Sequence, residues 1–223
     1  HLTEKMKPVP IDTVYAILKQ EVTRYDVPVV DLVQIQTRDP FKVLLATILS
    51  ARTKDETTSS VLPRLFEKVK TTSDLHKLSV TEIEALIFPV GFYHNKAKFL
   101  KELPAVLEKE FHGTIPETVE ELMKLPGVGR KTANLVVAVA FQKPAICVDV
   151  HVHRIMNRLG YVHTKNPLET EMALRKRLPE KYWTTINTIL VAFGQNICRP
   201  VSPFCSICPI RQYCNRIGVT TSR

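Results

Sequence analysis

Four of the chain's five cysteines lie between residues 198 and 214, as Cys198, Cys205, Cys208 and Cys214, with six, two and five residues between them. Four thiolates in so short a segment can close a four-ligand site, so the end of the chain is expected to fold around a bound metal. On chemistry alone both a zinc ion and a [4Fe–4S] cluster satisfy such a ligand set, and the spacing matches neither common ferredoxin pattern. The start, His1 to Met6, lacks the apolar stretch of a signal peptide, so a soluble, intracellular protein without structural disulfides is expected. Cys147 stands apart and reads as a small buried hydrophobe.

The rest of the sequence has a helical period nearly throughout. Val14, Ile17, Leu18 and Val22 share one spacing, as do Val43, Leu44, Thr47 and Ile48, then Val152, Ile155, Met156 and Leu159 before Gly160. Ser79 to Glu82 reads as a capping box. Pro116 and the acidic run behind it predict a helix over 117–124, and Ile186 to Phe193 predict one ending near Gly194. No stretch sustains a period of two between turn signals, so the expected fold is all-α, with about ten short helices. No apolar run reaches the roughly 18–20 residues of a membrane span. Thirty-one Lys and Arg against 22 Asp and Glu give a net charge of +9, which favours a polyanionic partner.

Leu125-Pro126-Gly127-Val128-Gly129-Arg130-Lys131 separates two helical patterns. Two of the seven glycines fall here, and glycine permits both a tight turn and close approach of another molecule. A helix beginning at Lys131 would point its free N–H groups at whatever lies over the turn, and a phosphate suits that place. A plain helix–helix connector is the other reading. Lys131 falls in the first turn of that helix, where the dipole disfavours a cation and favours a neutral, nucleophilic amine. From position alone it is equally a surface lysine on a phosphate. Asp149, just before a helical face, reads as an N-cap, and as a carboxylate able to stabilise a cationic sugar.

The string Leu-Pro-Gly-Val-Gly-Arg-Lys-Thr-Ala-Asn, the Val148-Asp149-Val150-His151 segment with Arg154 behind it, and the cysteine spacing together resemble the endonuclease III family of helix-hairpin-helix DNA glycosylases. The resemblance runs from about Pro40 to Cys214. It implies a two-domain fold: a six-helix barrel over 33–143, and a helical domain of 1–32 with 144–223 that carries the iron–sulfur loop. DNA would lie across the cleft between them, where Lys131 and Asp149 meet. It implies a bifunctional DNA glycosylase and AP lyase of base excision repair that removes oxidised pyrimidines. In that reading Lys131 is the nucleophile and Asp149 its partner. Cys198, Cys205, Cys208 and Cys214 hold a structural [4Fe–4S] cluster. Gly127, Val128, Gly129 and Arg130 grip the DNA backbone, with His151 and Arg199 as further contacts. Leu49 to Asp55 and Pro89 to Lys96 resemble two loops that fill the gap left by an everted base, with Arg52, where bacterial members often carry Gln, and Phe92 as their tips. Asp55 matches an acidic position, or caps the helix after it. The loop from Cys198 to Cys205 usually carries several basic residues; here it has only Arg199.

The expected partner is duplex DNA with damaged bases or abasic sites, bound by a monomer with no membrane association. The compartment would be the cytoplasm and nucleoid in a prokaryote, the nucleus or mitochondrion in a eukaryote. A mismatch-directed thymine, uracil or adenine glycosylase of the same fold is the alternative. A non-catalytic DNA-binding module has no need of both Lys131 and Asp149.

Overall fold

Twelve α-helices and four short 3₁₀ turns make up the regular structure of residues 5–223, the part described in this computed structural model, and no strand occurs among them. The chain divides into two compact units, Pro28–Ala145 and a second formed by the residues up to Val27 with Ile146–Arg223.

The second unit contributes α1 (Ile11–Glu21). The first unit then follows with α2 (Val29–Thr37), α3 (Pro40–Ser50), α4 (Asp55–Lys68), α5 (Thr72–Lys77), α6 (Val80–Ile87), α7 (Tyr93–Phe111), α8 (Val119–Leu122) and α9 (Arg130–Phe141). Its centre is α3, whose residues 43–49 are all buried, including Thr47, so the helix is covered on every side as only a core helix can be. The sequence starts it firmly: the Asp39 carboxylate accepts the Phe41 N–H at 3.0 Å, and Pro40 occupies the first helical position. The capping box at Ser79 and Glu82 is present in full. The acidic helix expected over 117–124 is only the four-residue α8. Thr118, not Pro116, caps it, and the chain turns at Met123 to enter the hairpin.

The second unit resumes with α10 (Val150–Leu159), α11 (Pro167–Arg177) and α12 (Trp183–Asn196). The stripe Val152, Ile155, Met156 and Leu159 is buried as its spacing demands, and Gly160, at φ +83°, ends α10 in the left-handed region. Gly194 does not end a helix. Helix α12 ends at Asn196, two residues beyond it, close to the expected end, and a Cβ at Gly194 would sit 2.5 Å from His151 Nδ1 and 2.8 Å from Arg154 Nη2. The glycine marks a close approach of α10 rather than a stop signal. Gly194→Ala should therefore cost about 1–3 kcal/mol by overpacking, read as a lower denaturant midpoint. An unchanged midpoint would mean that the His151–Arg154 pair moves aside freely. Among the described residues no helix is long and apolar enough to cross a membrane.

Candidate functional site

The hairpin is built from burial outward. Leu125 and Val128 insert into the core of the first unit, and the Val128 N–H closes on the Leu125 carbonyl at 3.2 Å. The Val128 side chain thus anchors the turn; only its backbone is on offer to a ligand. Gly127 has φ +75°, and a Cβ on it would meet Phe99 of α7 at 2.7 Å, so this position needs glycine twice over. Gly129 differs. It adopts extended backbone as the N-cap of α9, and a Cβ there would meet no atom within 4 Å.

Helix α9 starts at Arg130, so Lys131 is its second residue and is exposed. Two cations and no carboxylate occupy the positive end of this helix. Helix stability argues against that arrangement, and such local conflicts mark positions kept for function. Behind them Asn134 is fully buried, its Nδ2 donating to the Arg130 carbonyl at 3.1 Å.

Asp149 belongs to the other unit. It is the N-cap of α10: Oδ1 accepts the Val152 N–H at 2.9 Å, and only 8% of the residue is exposed. Val150 beside it is 65% exposed, an apolar residue left outside at the mouth of the helix. His151 Nδ1 pairs with Arg154 Nη2 at 2.9 Å, and Arg154 donates on to the Cys198 carbonyl at 2.8 Å. His151 is therefore part of the wall between α10 and α12 that leads to the first cysteine.

The four clustered cysteines line one pocket with Ile155, Leu159, Phe193, Ile197 and Ile210. None forms a disulfide. The setting suits bound thiolates. Arg158 Nη1 lies 3.4 Å from Cys198 Sγ, and the Arg216 N–H donates to Cys214 Sγ at 3.3 Å. Burial, with the neighbouring sulfurs adding to it, pushes the Cys208 thiol up to about 12 and raises Cys214. A sulfur in such a place becomes a thiolate only where a cation beside it stabilises the charge. Among the described residues no three His, Cys, Asp or Glu side chains converge as ligands of a single ion do. Arg158 also ties the Arg199 and Pro200 carbonyls, each at 2.7 Å. Arg199 is exposed, its guanidinium 5.6 Å from the centre of the Phe204 ring. Cys147 is buried away from this set, in agreement with its isolation in the sequence.

Arg52 and Phe92, 40 positions apart, come together: the guanidinium lies 5.3 Å from the ring centre, and both residues are exposed. Asp55 does not cap α4, whose first residue it is; its carboxylate accepts the Val29 N–H at 2.9 Å, at the start of α2. Burial raises its pKa, which that bond partly offsets. Sequence reasoning quoted Arg154 in the motif without giving it a role, and passed over Arg158, four residues on along α10. It also passed over Lys96, quoted in a motif but given no role.

A helix-hairpin-helix joined to a cysteine loop is the construction of a DNA glycosylase of base excision repair, and the comparisons with known proteins narrow the class. The model of the HhH-GPD superfamily of base excision DNA repair proteins matches residues 45–180. Endonuclease III of Thermotoga maritima is 48% identical over 176 residues, 79% of this chain and 83% of the relative. A trapped endonuclease III–DNA covalent intermediate matches with a TM-score of 0.81 at 38% identity, over 94% of this chain and 97% of the other. A thermostable thymine-DNA glycosylase matches with a TM-score of 0.74 at 28% identity, over 92% and 98%. The chain belongs to the HhH-GPD superfamily of base excision DNA repair proteins and, within it, to the endonuclease III glycosylase/lyases.

Proposed function

We propose that the chain removes oxidised pyrimidines from duplex DNA and cuts the abasic strand by β-elimination, with Lys131 as the nucleophile. The observation that carries this reading is an exposed lysine in the first turn of α9, directly behind a glycine hairpin whose outer face is open. The backbone N–H groups after Gly129 bind a phosphate and set the register of the duplex. The damaged nucleotide leaves the stack, which brings C1′ within reach of the amine. Lys131 Nζ attacks C1′ and the glycosidic C–N bond breaks, the base leaving with the bonding pair and taking up a proton. The Asp149 carboxylate stabilises the positive charge that develops on the sugar. Ring opening gives an iminium, which acidifies the C2′ protons. Loss of one expels the 3′ phosphate, and water then returns the lysine by hydrolysing the imine.

Cys198, Cys205, Cys208 and Cys214 hold a [4Fe–4S] cluster in this reading, supported by their shared pocket and by the N–H donors aimed at two of the sulfurs. When bound it supplies a cross-link for the loop and no substrate chemistry. Arg199 and the hairpin then serve as backbone contacts, and the protein acts as a monomer on one lesion.

The test is cleavage of duplexes carrying thymine glycol, dihydrouracil, uracil, mismatched thymine or an abasic site. Cleavage of the first two and of the abasic duplex is expected. Release of mismatched thymine with thymine glycol untouched would overturn the substrate assignment. The +9 charge adds a physical signature. Duplex affinity should fall steeply, by about a thousandfold between 50 and 200 mM salt if about six phosphates are neutralised. A flat salt response would contradict a backbone grip.

A further inference from the structure

Lys96, in the first turn of α7, is a lysine with only 6% of its surface exposed, and no step above uses it. Its ammonium donates to the Leu49 carbonyl at 2.9 Å, the Ala51 carbonyl at 2.5 Å and Thr53 Oγ1 at 3.2 Å. An ammonium has three protons, and here three neutral oxygens receive them. Leu49 lies in the last turn of α3 and Ala51 is its C-cap, so the cation also sits at the negative end of that helix. Burial pulls the Lys96 pKa down to about 8, so the charged form with all three protons prevails at neutral pH.

The same bonds join the two exposed loops. Thr53 Oγ1, besides accepting from Lys96, accepts the Gly91 N–H at 2.8 Å. A Cβ at Gly91 would lie 2.5 Å from the Arg52 carbonyl, so the loops touch backbone to backbone. From the far side Arg64 of α4 grips the Leu86 carbonyl at 3.0 Å and the Phe88 carbonyl. The tips carried by this lattice are Arg52 at φ +53° and Phe92 at φ +57°. Both are non-glycine residues in the left-handed region, a conformation that persists only where the surroundings impose it.

We propose that Lys96 is the positioning residue that holds the Arg52–Phe92 pair in the shape that fills the gap left by an everted base. It therefore governs eversion rather than the chemistry at the sugar. This rests on the reading that the two tips enter the duplex. An intact damaged base must be unstacked before Lys131 can attack, whereas an abasic nucleotide has no base to unstack. Lys96 thus acts on the first substrate more than on the second.

The experiment measures single-turnover cleavage of a thymine glycol duplex and of an abasic duplex by wild type, Lys96→Met and Lys96→Arg. Should the wild type process another lesion of the panel better, that lesion replaces thymine glycol. The ratio of the two rates is expected to fall about tenfold in Lys96→Met and to recover in part in Lys96→Arg, which keeps donors and charge. Thr53→Val, which removes the shared hydroxyl without emptying a buried cation site, should lower the ratio in the same direction, and carries the test if Lys96→Met does not fold. In an Arg52→Ala, Phe92→Ala background, Lys96→Met should leave the ratio where the double variant put it. Equal losses on both substrates, or a further full drop in that background, would overturn the proposal and leave Lys96 a structural lysine. A wild type that cuts abasic DNA but no damaged base would instead remove the functional reading itself.

Discussion

Replacing Lys131 with alanine is expected to abolish the borohydride-trapped protein–DNA adduct on a thymine glycol duplex. It should also slow cleavage of an abasic duplex by about a thousandfold or more. The fold should survive, because Lys131 is exposed and α9 is held by its buried face, from Thr132 and Ala133 to Val139. Removing a cation from the positive end of α9 relieves a repulsion there. Duplex affinity should change by no more than one phosphate contact, about threefold at moderate salt. Asp149→Asn is the companion measurement. Asparagine caps a helix about as well as aspartate, so the bond to the Val152 N–H is kept while the charge is lost. Base release should slow with melting unchanged, whereas Asp149→Ala should also lose about 1 kcal/mol of stability. A trapped complex at wild-type yield in Lys131→Ala would show that another amine attacks C1′.

What the sequence made legible was local. The hairpin, the N-cap at Asp149, the capping box at Ser79 and the cysteine spacing all lie within short windows, where backbone geometry and residue type are directly linked. What it left unread depends on partners far along the chain. Gly194 looks like a stop signal in a one-dimensional pattern, yet it is a glycine because His151 and Arg154 pass over it. Asp55 looks like a cap for its own helix, yet it serves the start of α2, 26 residues earlier. Lys96 looks like one of many surface lysines; its burial follows from carbonyls 45 and 47 positions away. The Arg52–Phe92 stack is also long-range, and only the resemblance put both residues in view together. The full length of some helices is illegible for another reason. Helices such as α4 and α7 carry an internal proline, Pro63 and Pro104, which in the sequence reads as an edge.

In the proposed reading, loss of the cluster is expected to release the whole end of the chain. From Cys198 to Arg223 there is no α-helix, only two 3₁₀ turns, and the only buried residues are Pro203 and Ile210. So little burial cannot offset the entropy of ordering that much backbone, at about 1–2 kcal/mol per residue. The hydrogen bonds that remain, such as those from Arg158 to the Arg199 and Pro200 carbonyls, are exposed and individually weak. The binding free energy of the thiolate-bound metal is then the folding free energy of this segment. Purified protein should be yellow-brown with broad visible absorption and contain about four iron atoms per chain. Cys208→Ser should lose the colour and open residues 198–223 to protease, while the Pro28–Ala145 unit, whose core contains none of these residues, stays resistant. Because Arg154 reaches the Cys198 carbonyl and His151 leans on Arg154, the disturbance should extend into α10 and weaken DNA binding as well. Cys147→Ser changes a buried thiol outside the set, so it should keep the colour and lower stability only modestly. A colourless protein with one zinc per chain would assign the four cysteines to a different metal. A protease-resistant segment in Cys208→Ser would show that the loop holds itself without one.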